Sequence, residues 1–147
     1  MSYDTIEAGA LTVLQVLDAY SDDNSSRGDM RILGKGNDKN VVFFPGGFNR
    51  DIMGMSIRTT TEWEVLMRLF ILYDGEISSS WSAIRTDRQA IIEHFDKYPT
   101  LNGVSGVVHA FMHRAPTPQL LQGEARQWWA QDLTLIVREN VSVTIAE

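Results

Sequence analysis

The stretch from Thr59 to Leu101, TTTEWEVLMRLFILYDGEISSSWSAIRTDRQAIIEHFDKYPTL, constrains the fold more than any other. From Trp63, the residues Trp63, Val65, Met67, Leu69, Ile71 and Tyr73 alternate with Glu64, Leu66, Arg68, Phe70 and Leu72. The first set is apolar throughout. The second begins charged and turns apolar. Period two with many β-branched and aromatic residues predicts a long strand near the middle of a sheet. Trp63, Met67, Phe70 and Asp74 also fit helical spacing, but the preceding Thr59-Thr60-Thr61 favours strand. Asp74-Gly75 supplies turn chemistry.

A long helix is expected next. Ser78, Ser79 and Ser80 offer side-chain oxygens to its free first-turn amides. Trp81, Ile84, Arg88, Ile91, Ile92 and Phe95 recur at steps of three and four, with Arg88 placed to snorkel. Tyr98-Pro99 ends the helix, because the residue before proline disfavours the α region. Asn102-Gly103 then turns the chain.

The remaining elements read as layers around this pair. Asp4 to Tyr20 predicts a helix with Ile6, Ala10, Val13, Leu14 and Leu17 buried, and Asp4 with Glu7 at capping-box spacing. Ser21 to Asp29 reads as a polar loop, long enough to invite a contact role. Met30–Leu33 and Val41–Phe44 predict two short strands, with residues 34–40 as a hairpin tip. Pro45-Gly46-Gly47 punctuates the sheet, and Ile52 to Ile57 predicts a weak strand. Val104 to His113 alternates, with Val104, Gly106, Val108, Ala110 and Met112 on one face. Arg114 to Gln127 reads as a long loop carrying Leu120 and Leu121. Trp128 to Val137 predicts a strand with Trp129, Leu133, Leu135 and Val137 on one face. Val141, Val143 and Ile145 alternate again, as an edge strand or an arm that adds to another chain's sheet. Residues 1–147 thus form a single α+β domain: a mixed, mainly antiparallel sheet of about five strands with two principal helices packed on it. Without recurrent βαβ alternation a parallel, doubly wound sheet is not expected.

Composition narrows the function classes. The chain has 147 residues, 44% hydrophobic and 22% charged, as expected of one globular domain. A net charge of −6 argues against free nucleic acid as the main ligand. The absence of cysteine excludes disulfides and thiolate metal sites. The opening MSYDTIEAG lacks a basic region and an apolar core, so no secretory signal is expected. No apolar run approaches the roughly 20 residues of a membrane helix.

Candidate chemistry is sparse. His109 and His113 would lie about 13 Å apart along a strand, too far to chelate one metal. Asp22, Asp23 and Asp29 cluster without EF-hand spacing. No G-x-S-x-G elbow, Walker loop or H-E-x-x-H motif occurs. No enzyme activity, cofactor or metal is therefore expected. Trp128 and Trp129 are adjacent on a strand and must face opposite ways. One of them points from the main core towards a second covering layer or a partner.

The order of elements resembles a known group. Its carriers are Ile6 to Leu17, Ser26-Arg27-Gly28-Asp29, Pro45-Gly46-Gly47-Phe48, Trp63 to Asp74, and Tyr98-Pro99-Thr100-Leu101-Asn102-Gly103. The layout is similar to the tail terminator and tail-completion proteins of long-tailed bacteriophages. That resemblance implies an α+β structural subunit of the virion neck, made in the host cytoplasm and without catalytic residues. It implies self-assembly into a ring, typically a hexamer, that caps the tail tube protein and meets the head–tail connector or stopper protein. DNA would pass through the lumen without specific binding, and no membrane is involved. Three contact regions are then expected: the Ser21 to Asp29 loop (Asp22, Asp23, Asn24, Arg27, Asp29), the Pro45 to Met55 segment (Phe48, Arg50, Met53, Met55), and the Arg114 to Gln127 loop with Leu120 and Leu121, together with Trp128. Another head–tail joining ring subunit, or an α+β domain with a ligand or catalytic pocket between the long strand and a helix, are the alternatives.

Overall fold

The computed structural model describes residues 3–52, 58–123 and 126–142. Helix α1 (Tyr3–Val16) and strand β1 (Ser25–Arg27) are followed by a 3-10 segment (Met30–Lys35), then β2 (Lys39–Ile52) and β3 (Arg58–Leu72). Helix α2 (Ile77–Asp96), β4 (Val107–Arg114), β5 (Gln119–Gln122) and β6 (Gln127–Ser142) complete the order. The class is α+β as expected, with six strands in one sheet ordered β1-β2-β3-β6-β4, and β5 sharing an edge of β6 with β4. Among the described residues only β1–β2 is parallel.

The long alternating strand is central. β3 pairs with β2 from Ile71 to Thr59 and with β6 from Leu72 to Arg58. Both helices lie on one face, where Val65, Met67, Leu69 and Ile71 meet Ile6, Leu14, Ile84, Ile91 and Phe95. Burial of these side chains, each contributing about 1.5–3 kcal/mol relative to exposure, holds the layers together. Glu7 and His94 join the buried stripes. The Nε2 of His94 lies 2.6 Å from the Val13 carbonyl oxygen, tying α2 to α1. The turn after α2 is left-handed at Leu101, Asn102 and Gly103, and it sinks Leu101 into the core.

Several local expectations are corrected. Met30–Leu33 is not a strand. The Asp29 carboxylate accepts from the Arg31 amide and starts a 3-10 turn, which Gly36 ends at φ 87, so there is no hairpin across residues 34–40. The edge strand is instead polar β1, inside the expected Ser21 to Asp29 loop, paired with Val41–Phe43. Asp4 and Glu7 do not form a capping box, since α1 begins at Tyr3 and both carboxylates take Arg27. That helix also stops at Val16, short of Tyr20.

Further along, α2 starts at Ile77, so Ser78, Ser79 and Ser80 lie inside its first turn. Asp74 tethers that turn, accepting from the Glu76 amide and the Ser79 hydroxyl, both at 2.9 Å, and these bonds hold its carboxyl below the usual range. In β4, register shifts between Val107 and His109 and between Met112 and Arg114 break the expected alternation, burying Val107 and leaving Val108 exposed. The loop with Leu120 and Leu121 contains β5. Residues 141 and 142 continue β6 rather than starting a new strand, and 143–147 lie outside the described residues.

Candidate assembly interface

The site is built from the sheet face turned away from the helices and from the far end of β2. The register places Phe44, Leu66, Arg68, Asp132, Thr134, Ile136, Arg138 and Phe111 on this face. At one end it is closed. Ile32 of the 3-10 segment covers Val42, Phe70, Trp128 and Ala130, with Leu33, Phe44, Leu72 and Leu121 packed around them.

Beyond that cluster the face is open and lined by cross-strand ion pairs. Arg68 donates to both oxygens of Asp132, at 2.6 and 3.2 Å, which raises the guanidinium pKa. Arg138 donates to Glu62 at 2.7 Å and lies 5.3 Å over the Phe111 ring. His109 stacks on Phe111 at 5.3 Å, and His113 stands edge-on to it at 6.2 Å. Arg68, Arg114 and Arg138 are balanced by Glu62, Glu64 and Asp132, so the charges of this face offset one another. The Arg68–Asp132 pair forms part of the lining of a depression of ≈ 380 Å³, together with Phe44, Leu66, Arg114, Pro116 and Thr134.

The far end of β2 is set by a bulge. Pro45 pairs with Val65 but Phe48 pairs with Trp63, so β2 spends one residue more than β3 over this span. The extra residue moves Phe48 to the helix side, where its ring lies 5.3 Å from Trp63. Gly46 is required there, because an added Cβ would stand 2.1 Å from the Glu64 carbonyl oxygen. The Tyr3 hydroxyl plugs the strand edge at the same point, donating to the Phe44 carbonyl at 3.0 Å and accepting from the Gly46 amide at 3.2 Å. Burial pushes its pKa up to about 12. Phe48 remains 62% exposed, and residues 49–52 continue the ribbon beyond it.

The structure divides the sequence candidates. Asn24 is buried and fastens its own loop, accepting from the Ser21 amide and donating to the Ala19 carbonyl. Arg27 ties β1 to α1 through Glu7 and Asp4. Asp29 caps the 3-10 segment and pairs with Arg31, and Asp22 accepts from Gln15. Asp23 is exposed. Phe48 and Arg50 are exposed together on the helix side of this end of β2. Leu120 is 43% exposed, whereas Leu121 and Trp128 close the second cluster. Met53 and Met55 lie outside the described residues. His94 and the His109–His113 pair sit on opposite faces of the sheet, so they form no common site. Among the described residues no three His, Asp or Glu side chains converge as metal ligands, and no helix is long and apolar enough to cross a membrane.

Sequence reasoning missed the open face. Arg68 and Asp132 are 64 residues apart, and Arg138 and Glu62 are 76 apart. The signal was present only as the charged start of the second face of β3, at Glu62, Glu64 and Arg68. No protein-family model matches the chain, and no curated protein matches it.

Proposed function

We propose that this chain is a structural subunit of a long-tailed bacteriophage tail, a terminator that assembles head to tail into a ring, caps the tail tube and presents a surface to the head connector. In this reading it has no catalytic residues, and it works by self-association and by binding the tube and connector proteins. The observation that carries the reading is the ribbon end of β2, which holds an exposed phenylalanine at a bulge, away from the sheet's own open face. A surface knob and a separate receptive face on one chain are what a heterologous, ring-closing contact uses. The balanced charges of the open face and the acidic net charge also fit a lumen that DNA traverses without binding. Another ring layer of the neck would share these features.

The test is the mass of the purified protein by light scattering over a concentration series, with negative-stain images, alone and with tail tubes. Closed rings, or a monomer that assembles on tube ends, are expected. A strict monomer that neither assembles nor binds tubes overturns the proposal.

A further inference from the structure

We infer that Phe48 of one protomer seats in the open-face depression of the next, beside Leu66, Phe44 and Thr134, while Arg50 pairs with Glu64 at its end. The inference rests on the ring-forming reading above and names the contact that closes the ring. Phe48 is the exposed aromatic of the ribbon, and its neighbour Trp63 and the bulge at Gly46 hold it in place. An exposed ring fixed in this way loses little side-chain freedom on binding.

A second copy is the occupant for three reasons. Phe48 faces the helix side of its own sheet and the depression lies on the other, so the two cannot meet within one chain. The spacing also matches. Phe48 and Arg50 are two apart on one face of β2, and Leu66 and Glu64 are two apart on the opposite face of β3. Each pair therefore spans about 7 Å along its strand. Charge complements across the contact, since exposed Arg50 meets exposed Glu64, which has no arginine opposite it in β6 where Ile136 stands. The volume of ≈ 380 Å³ admits one aromatic side chain and its flanking backbone. Because the two patches differ, the contact is heterologous and leaves one free knob and one free socket on every open chain.

The experiment uses two variants of the full chain, Phe48→Asp to remove the knob and Thr134→Arg to fill the socket, with circular dichroism to confirm that each folds. Each alone is expected to stay monomeric where wild type forms rings, with association weakened at least roughly 30-fold, as for an interfacial anchor. Mixed one to one, they retain one intact knob and one intact socket, so heterodimers but no rings are expected. Should either variant misfold, the exposed pair Arg50→Glu and Glu64→Arg serves: each weakens assembly, and the double exchange restores it. Rings that persist in Phe48→Asp, a mixture that stays monomeric, or a charge exchange without rescue overturn this contact while leaving the ring reading intact. Wild type that is monomeric at every concentration and on tubes overturns both.

Discussion

Replacing Tyr3 by Phe tests whether the bulge that aims Phe48 is held from α1. The substitution keeps the ring, which packs at 5.9 Å from Trp63, and deletes only the hydroxyl. That hydroxyl serves two backbone groups of β2, the Phe44 carbonyl and the Gly46 amide. Leaving a buried polar group without its partner costs about 1–3 kcal/mol, and for these half-buried groups the lower part of that range, about 1–2 kcal/mol, applies. In a chain of this size that corresponds to a fall in Tm of roughly 3–6 °C. The pH dependence supplies an independent check. Burial raises the Tyr3 pKa from 10.0 to about 12, because the fold disfavours the phenolate. A pKa raised in the folded state contributes stability that is complete below the unfolded value and is lost as pH rises through the folded one. Urea unfolding between pH 10 and 12 should therefore show wild type losing stability faster than Tyr3→Phe, so that the gap between them closes. Tyr20, raised by burial and by Asp87, contributes an alkaline loss common to both proteins. A Tm within about 1 °C of wild type, or a gap that stays constant across this pH range, would refute the plug.

Two further substitutions probe the same architecture. Gly46→Ala forces a Cβ against the Glu64 carbonyl oxygen, so a loss of at least about 1–3 kcal/mol is expected, along with altered Trp63 fluorescence as Phe48 shifts; an unchanged emission spectrum and urea midpoint would contradict the close approach. Arg27→Ala removes the guanidinium that pairs with the Glu7 carboxylate, whose side chain is only 10% exposed, and should cost about 2 kcal/mol. Adding Glu7→Gln should recover part of that loss, because the penalty lies in the unpaired charge rather than in the missing attraction. Equal denaturation midpoints for the single and double variants would argue against it.

The sequence by itself determined the parts governed by local periodicity. Alternation from Trp63 to Leu72 specified β3, because side chains of a strand point to opposite faces whatever surrounds it. Steps of three and four specified α1 and α2, and Pro99 and Gly103 marked where α2 had to end and turn. The α+β class followed from those elements and their order. Tertiary structure decided what depends on partners far along the chain. Polar β1 is a strand only because Val41–Phe43 offers it a ladder, and the more apolar Met30–Leu33 is not one because the Asp29 carboxylate satisfies a 3-10 turn first. The bulge that turns Phe48 to the helix side is fixed by Gly46 fitting against Glu64 and by a hydroxyl 43 residues away. The open face is likewise invisible locally, since its ion pairs join residues that only the β3–β6 register brings together. Periodicity reports which side of an element is apolar; which element lies opposite, and which side chains it leaves uncovered, is fixed by the register between distant strands.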